Sequence, residues 1–168
     1  MNIILSGFMG SGKSTLAKKL AQKLNMRYID IDEFIQQKSG MSITQIFDLY
    51  SEEKFRELET QACEEIGELN DYIIATGGGT ILNPKNVSAL KANGKIVFLD
   101  VSVDTVMRRL ANDASRPLLQ KDEKEDAVTE LLEGRLPIYQ SAADITFDAN
   151  SDDTDKKANE LIAKLKKL

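Results

Sequence analysis

NIILSGFMGSGKST, residues 2–15, begins as an apolar run, passes through three glycines and ends on a lysine followed by two hydroxyl side chains. The apolar part reads as a buried strand, and residues 14–24 read as a helix with Leu16, Leu20 and Leu24 on one face. Between them Gly7, Gly12, Lys13 and Ser14 fit the spacing G-x-x-x-x-G-K-[ST], with Gly10 an additional glycine inside it. Glycines there let the backbone wrap a polyphosphate so that N–H groups point at its oxygens. The lysine supplies a point charge to the β- and γ-phosphates, and the serine hydroxyl is placed to ligate Mg²⁺. The helix that follows aims its positive end at the same anion. A glycine-rich turn without a ligand is the plainer alternative, but strand before and helix after are the context a phosphate cradle requires. Gly10, Ser11, Gly12, Lys13, Ser14 and Thr15 are therefore the candidate nucleotide-binding residues, and the start of the chain reads as a strand feeding a functional loop rather than as a secretion signal.

The bulk composition narrows the partners. The chain has 168 residues, 42% hydrophobic and 29% charged, and a net charge of −5. That is long enough for one domain with its own core and carries no general electrostatic footprint for nucleic acid. An anionic ligand must be held by a local cluster of donors against the global sign. No apolar run is long enough to span a bilayer. Cys63 is the single cysteine, which rules out an intramolecular disulfide, fits a reducing cytoplasm and reads as a small buried helix residue. There is no histidine, so no imidazole serves as base, nucleophile or ligand.

Beyond the opening motif, short apolar runs alternate with helical patterns. Strands are expected at 27–32 (running into a turn), 72–76, 95–100 and 144–147. Residues 42–69 read as mostly helical, with SITQ (42–45) as a capping box and Ser51 starting a second helix. Asn83 and Pro84 form an N-cap and N1 pair for a helix to about residue 90. Another helix begins at VDTVMRRLA, and 113–126 is polar and aperiodic, a candidate lid. A helix to about Gly134 and a last one from about Asp153 complete the chain. The alternation predicts a three-layer α/β/α domain around a mostly parallel, five-stranded sheet, with residues 1–168 forming a single domain.

A phosphate cradle does not name a reaction. The Asp-x-x-Gly and Asn-Lys-x-Asp signals of a GTPase are absent, and motors are usually larger, so a small-molecule kinase leads. Two acidic candidates could serve the metal. Asp100 ends the strand IVFLD, and Asp30 and Asp32 lie in DID, which also reads as a helix start whose acids complement the dipole. By pattern alone Asp100 would be preferred.

In order along the chain, GFMGSGKS, DID, FDL (47–49), FRELE (55–59), ATGGG (75–79), RPLL (116–119) and RLPIY (135–139) together resemble the shikimate kinase family. The resemblance implies a nucleoside monophosphate kinase-like P-loop fold, with ATP as co-substrate, Mg²⁺ as cofactor and shikimate as acceptor. It implies that Asp32 contacts the acceptor hydroxyls close to the metal, so that Ser14 and Asp32, directly or through water, are the expected metal ligands, and Asp100 recedes to a strand-end role. Arg56 and Arg135 match the arginines that grip the acceptor carboxylate, as planar guanidinium forks do well. From the residues alone, Arg56 is equally an ion pair with Glu52 or Glu59; within the resemblance Glu59 orients it. Gly77, Gly78 and Gly79 line the acceptor pocket, in addition to an acceptor-binding region of about 31–60. Phe47 and Phe55 are candidates for its apolar wall or for core. Arg116 belongs to the lid and, with Lys13 and Asp32, to the catalytic set; Arg109 lies against the adenine, beside a loop at 148–154. A cytoplasmic monomer with no membrane or nucleic-acid partner is expected. Two rivals are a kinase for another polyol acid such as gluconate, and a non-catalytic nucleotide-binding module.

Overall fold

A computed structural model describes residues 1–111 and 121–168. Among the described residues the strands are β1 (Asn2–Gly7), β2 (Arg27–Asp30), β3 (Tyr72–Ala75), β4 (Gly94–Asp100) and β5 (Ile145–Asp148). They form one parallel sheet in the order β2-β3-β1-β4-β5. β1 is buried along its whole length, as expected for a central parallel strand with both faces covered. The chain leaves β1 for β2 two places away, returns to β3 in the gap, and then continues to β4 on the opposite side. Such a reversal opens a crevice at the carboxyl ends of the strands, where ligands of open α/β sheets bind.

The helices are α1 (Lys13–Leu24), α2 (Ile31–Ser39), α3 (Ile43–Leu49), α4 (Glu52–Gly67), α5 (Pro84–Lys91), α6 (Val103–Ala111), α7 (Lys121–Ala142) and α8 (Thr154–Leu165). They cover both faces of the sheet in a three-layer arrangement; α1 packs on α8, and α4 on α5. Capping fixes their starts. Ser42 and Gln45 form the reciprocal capping box of α3, Ser51 caps α4, and Asn83 caps α5 ahead of Pro84. Cys63 is fully buried on α4, and burial pushes its thiol far above the ordinary value, so it is packing material rather than a reactive group.

Three elements differ from expectation. Residues 31–39, read as following a turn, form α2: Asp30 accepts a hydrogen bond from the Glu33 N–H, and Ile31 and Ile35 bury the inner face. Residues 121–126 of the expected polar loop are helical. Their Lys and Glu are good helix formers even where no apolar stripe shows a period; residues 113–120 of that loop lie outside the described residues. Finally, α7 does not stop near Gly134 but continues through Pro137 to Ala142. A proline inside a helix costs about 3 kcal/mol. Here Val128, Leu132 and fully buried Tyr139 anchor the helix on both sides of it, and the Tyr139 ring stacks on Phe98 of β4 at 5.2 Å.

Candidate active site

The cradle forms where β1 runs into α1. Gly7, Gly10 and Gly12 all have positive φ, of 153°, 75° and 82°, a curl that residues with a Cβ rarely adopt. Lys13 folds back over the loop and donates to the carbonyls of Gly7 at 2.6 Å and Phe8 at 3.1 Å. Burial lowers its pKa to about 8, against the opposing pull of Asp32 and Asp30; Arg135 adds to the lowering. A polyanion in the loop would restore the full charge. Ser11 is fully buried: its N–H closes a turn on the Phe8 carbonyl, and its hydroxyl lies beneath the loop toward Gly7, without a hydrogen-bond partner. Ser14 and Thr15 are exposed at the start of α1.

Strand register brings the other segments to this loop. Leu5 of β1 and Asp30 of β2 both pair with Ala75 of β3, so the cradle, DID and the triple glycine leave the sheet side by side. The Ser14 hydroxyl donates to Asp30 Oδ2 at 3.2 Å, while Asp30 Oδ1 caps α2. The structure thus joins Ser14 to Asp30, whereas the sequence had suggested Asp32. Among the described residues there is no cluster of three or more His, Cys, Asp or Glu side chains able to hold an ion. Two hard oxygen donors beside a phosphate cradle suit Mg²⁺, which completes its shell with phosphate oxygens and water. Asp100 ends β4, three strands across the sheet from Asp30 on β2. It pairs in register with Asp148 on β5, and burial together with Asp148 raises its pKa.

Each of the three glycines faces one predicted acceptor residue. A Cβ on Gly77 would stand 2.9 Å from Asp32 Oδ1; on Gly78, 3.6 Å from Arg135 Nη1; on Gly79, 2.8 Å from Arg56 Nη1. None of the three has a positive φ; at Gly77 and Gly79 the missing Cβ leaves room for the facing side chain, whereas at Gly78 the separation is ordinary contact. Asp32, Arg56 and Arg135, spread over 103 positions of the sequence, converge on one short segment. Asp32 carries a buried Oδ1 without a partner, and its pKa rises to about 6 through burial and the nearby charges of Asp30 and Glu59, offset in part by Lys13 and Arg56.

Hydrogen bonds fix this geometry. Arg56 donates to Glu59 at 2.9 Å and to Glu52 at 3.5 Å, so both of its possible ion pairs form. Glu59 is only 1% exposed. Its other oxygen accepts from the Thr80 hydroxyl at 2.9 Å, and that hydroxyl accepts from the Gly77 N–H at 3.0 Å. A continuous chain therefore runs from Arg56 to the backbone beside Asp32. The Tyr139 hydroxyl donates to the Gly78 carbonyl at 2.5 Å, and Arg135 lies one turn before it on α7, over the Phe8 ring. Thr80 had no signal in the sequence beyond following the glycines. Phe55 is core, and Phe47 packs against it at 5.2 Å on the exposed side.

Arg109 acts as a clamp. Its guanidinium donates to the carbonyls of Gly10, Ala149, Asn150 and Ser151 and to Asp152, fastening the cradle to the loop after β5. Arg116 lies outside the described residues.

A sequence model of the shikimate kinase family matches residues 9–166. A shikimate kinase from a Sulfurihydrogenibium species is 43% identical over 99% of this chain and 98% of its own length. The crystal structure of a shikimate kinase from Bacteroides thetaiotaomicron superposes with a TM-score of 0.90 at 34% identity, covering 99% of this chain and 98% of that one. A shikimate kinase from Acinetobacter baumannii, solved in complex with shikimate, superposes at 0.88, also at 34% identity, covering 98% of this chain and 92% of that one.

Proposed function

The chain belongs to the shikimate kinase family and transfers the γ-phosphoryl group of ATP to the 3-hydroxyl of shikimate, and from that premise we propose how its residues divide the work. The observation that carries the proposal is the convergence of Asp32, Arg56 and Arg135 on Gly77–Gly79 beside the cradle. One carboxylate and two guanidinium groups match a substrate with hydroxyls and a carboxylate.

Arg56 and Arg135 grip the shikimate carboxylate with charge-assisted, fork-like hydrogen bonds. Glu59 and Thr80 hold Arg56 in position, and Tyr139 holds the Gly78 carbonyl. Asp32, with one oxygen free of protein partners, accepts a hydrogen bond from the attacking hydroxyl. The 3-oxygen attacks Pγ in line, the bond from Pγ to the β-γ bridging oxygen breaks, and ADP leaves. The hydroxyl proton passes to Asp32 or to the transferred phosphoryl oxygens, since a loose transition state requires little base assistance. Lys13 and the cradle N–H groups neutralise charge on the phosphates; Arg116 is assigned to the same task by its place in RPLL, and Arg109 offers its face to the adenine. Ser14 and Asp30 would hold Mg²⁺, which would supply charge neutralisation for the phosphates. Residues 1–168 work as one kinase domain, and we infer a cytoplasmic monomer. Cys63 is buried, and among the described residues no helix is long and apolar enough to cross a membrane.

ADP release from Mg·ATP with and without shikimate tests the reading. Saturable stimulation by shikimate, with no stimulation by gluconate, is expected. Equal turnover without acceptor would overturn the assignment of the acceptor pocket.

A further inference from the structure

Lys157 sits on α8 at a position the helix reserves for apolar contact. Leu161 and Leu165 follow it at four-residue spacing on the face that packs toward α1, and Leu161 is fully buried. Lys157 is itself only 4% exposed, yet its ammonium makes no hydrogen bond or ion pair among the described residues. The stem is buried while Nζ keeps a small opening, since it is not among the fully buried side-chain atoms without a partner; even partial desolvation of an unpaired ammonium is costly, and a methionine or leucine would fill the same space without that cost. The charge points at the cradle. A Cβ on Gly12 would stand 3.6 Å from Lys157 Nζ and 4.0 Å from Arg109 Nη1. Two cations therefore converge on the glycine that caps α1, on the side where the loop after β5 closes in. The acid nearest to them, Asp152, is already taken by Arg108 and Arg109. Burial and the adjacent Arg109 depress the lysine pKa, with Asp152 opposing, the pattern of a cation awaiting an anion.

We propose that Lys157 is a nucleotide-binding residue, a second lysine of the cradle that donates to a phosphate oxygen of ATP or ADP at the Gly12 face while Lys13 serves the opposite side. The inference rests on the reading that the cradle binds ATP. It explains a residue that motif logic passes over, because Lys157 lies 144 positions from Lys13 and resembles a solvated helix lysine.

Calorimetric titration with ADP and with adenosine tests it on the full chain. Lys157→Met should weaken ADP binding about tenfold, equivalent to about 1.4 kcal/mol, and leave adenosine binding and the KM for shikimate unchanged. Its Tm without ligand should hold or rise, and Lys157→Arg should retain most of the ADP affinity. Lys157→Gln provides the same comparison should the methionine variant fold poorly. ADP affinity within twofold of the parent in a folded variant overturns the proposal while leaving the ATP reading intact. A parent protein that binds no ADP overturns both.

Discussion

The phosphate cradle and the acceptor pocket lie side by side at the carboxyl ends of β1 and β3, yet they are built in opposite ways. The loop of the cradle is a contiguous stretch, residues 7–15, shaped by its own glycines and by the helix it begins, with Arg109 and Lys157 the distant side chains that reach it. The acceptor pocket is drawn from α2, α4, the β3 exit and α7, and its shape depends on register, on the Arg56–Glu59–Thr80–Gly77 chain and on the Tyr139 bond to Gly78. A contiguous site tolerates changes elsewhere in the fold. A dispersed site is exposed to every segment that contributes to it, so small displacements should alter acceptor binding while nucleotide binding persists.

The largest test of that separation is Lys13→Met. It should lower kcat by about a thousandfold, the scale of losing one preorganised charge at a transition state, with shikimate affinity nearly unchanged in an equilibrium measurement. Comparable loss of shikimate binding would mean that the two regions are one site energetically. A smaller effect is expected from Gly79→Ala, whose new Cβ would stand 2.8 Å from Arg56 Nη1 and must displace the guanidinium. Steady-state kinetics should show the KM for shikimate rising about tenfold, the scale of a weakened charged hydrogen bond, with the KM for ATP within twofold. If both KM values rise together, the triple glycine also supports the cradle.

The smallest effect concerns stability. Asp32 has a folded-state pKa of about 6 against an ordinary 3.8, so the folded protein holds this proton more tightly than the unfolded chain does. Its contribution to stability is fully present below pH 3.8 and is lost as pH rises through 6. Asp32→Asn should therefore flatten that part of the stability profile and raise the ligand-free Tm at pH 7 by about 2–4 °C, while abolishing the rise of kcat/KM near pH 6 expected of the parent. A lower Tm at pH 7 would show that the carboxylate is stabilised by Lys13 and Arg56 more than it is penalised by burial.

Much of this was legible in residue order. The strand–glycine–helix beginning specifies its own conformation through short-range sterics and capping, and the alternation of apolar runs with amphipathic helices implies a parallel sheet. The seven family elements named the acceptor residues as a set. What local pattern did not reveal was which residues touch. DID suggested Asp32 beside Ser14, and only the pairing of β2 with β3 put Asp30 there and turned Asp32 toward Gly77. The glycines of ATGGG read as lining of the acceptor pocket, and only the packing showed Asp32 and Arg56 occupying the space that Cβ atoms on Gly77 and Gly79 would need. α7 appeared to end near Gly134 because local propensity opposes Gly and Pro; the burial of Tyr139 overrules it, and that decision aims Arg135 at the pocket. Lys157 is the extreme case, a surface lysine by composition and a largely buried side chain by fold. Short-range rules determine an element and its caps, but burial, register and charge proximity are sums over distant segments and exist only once the chain has closed on itself.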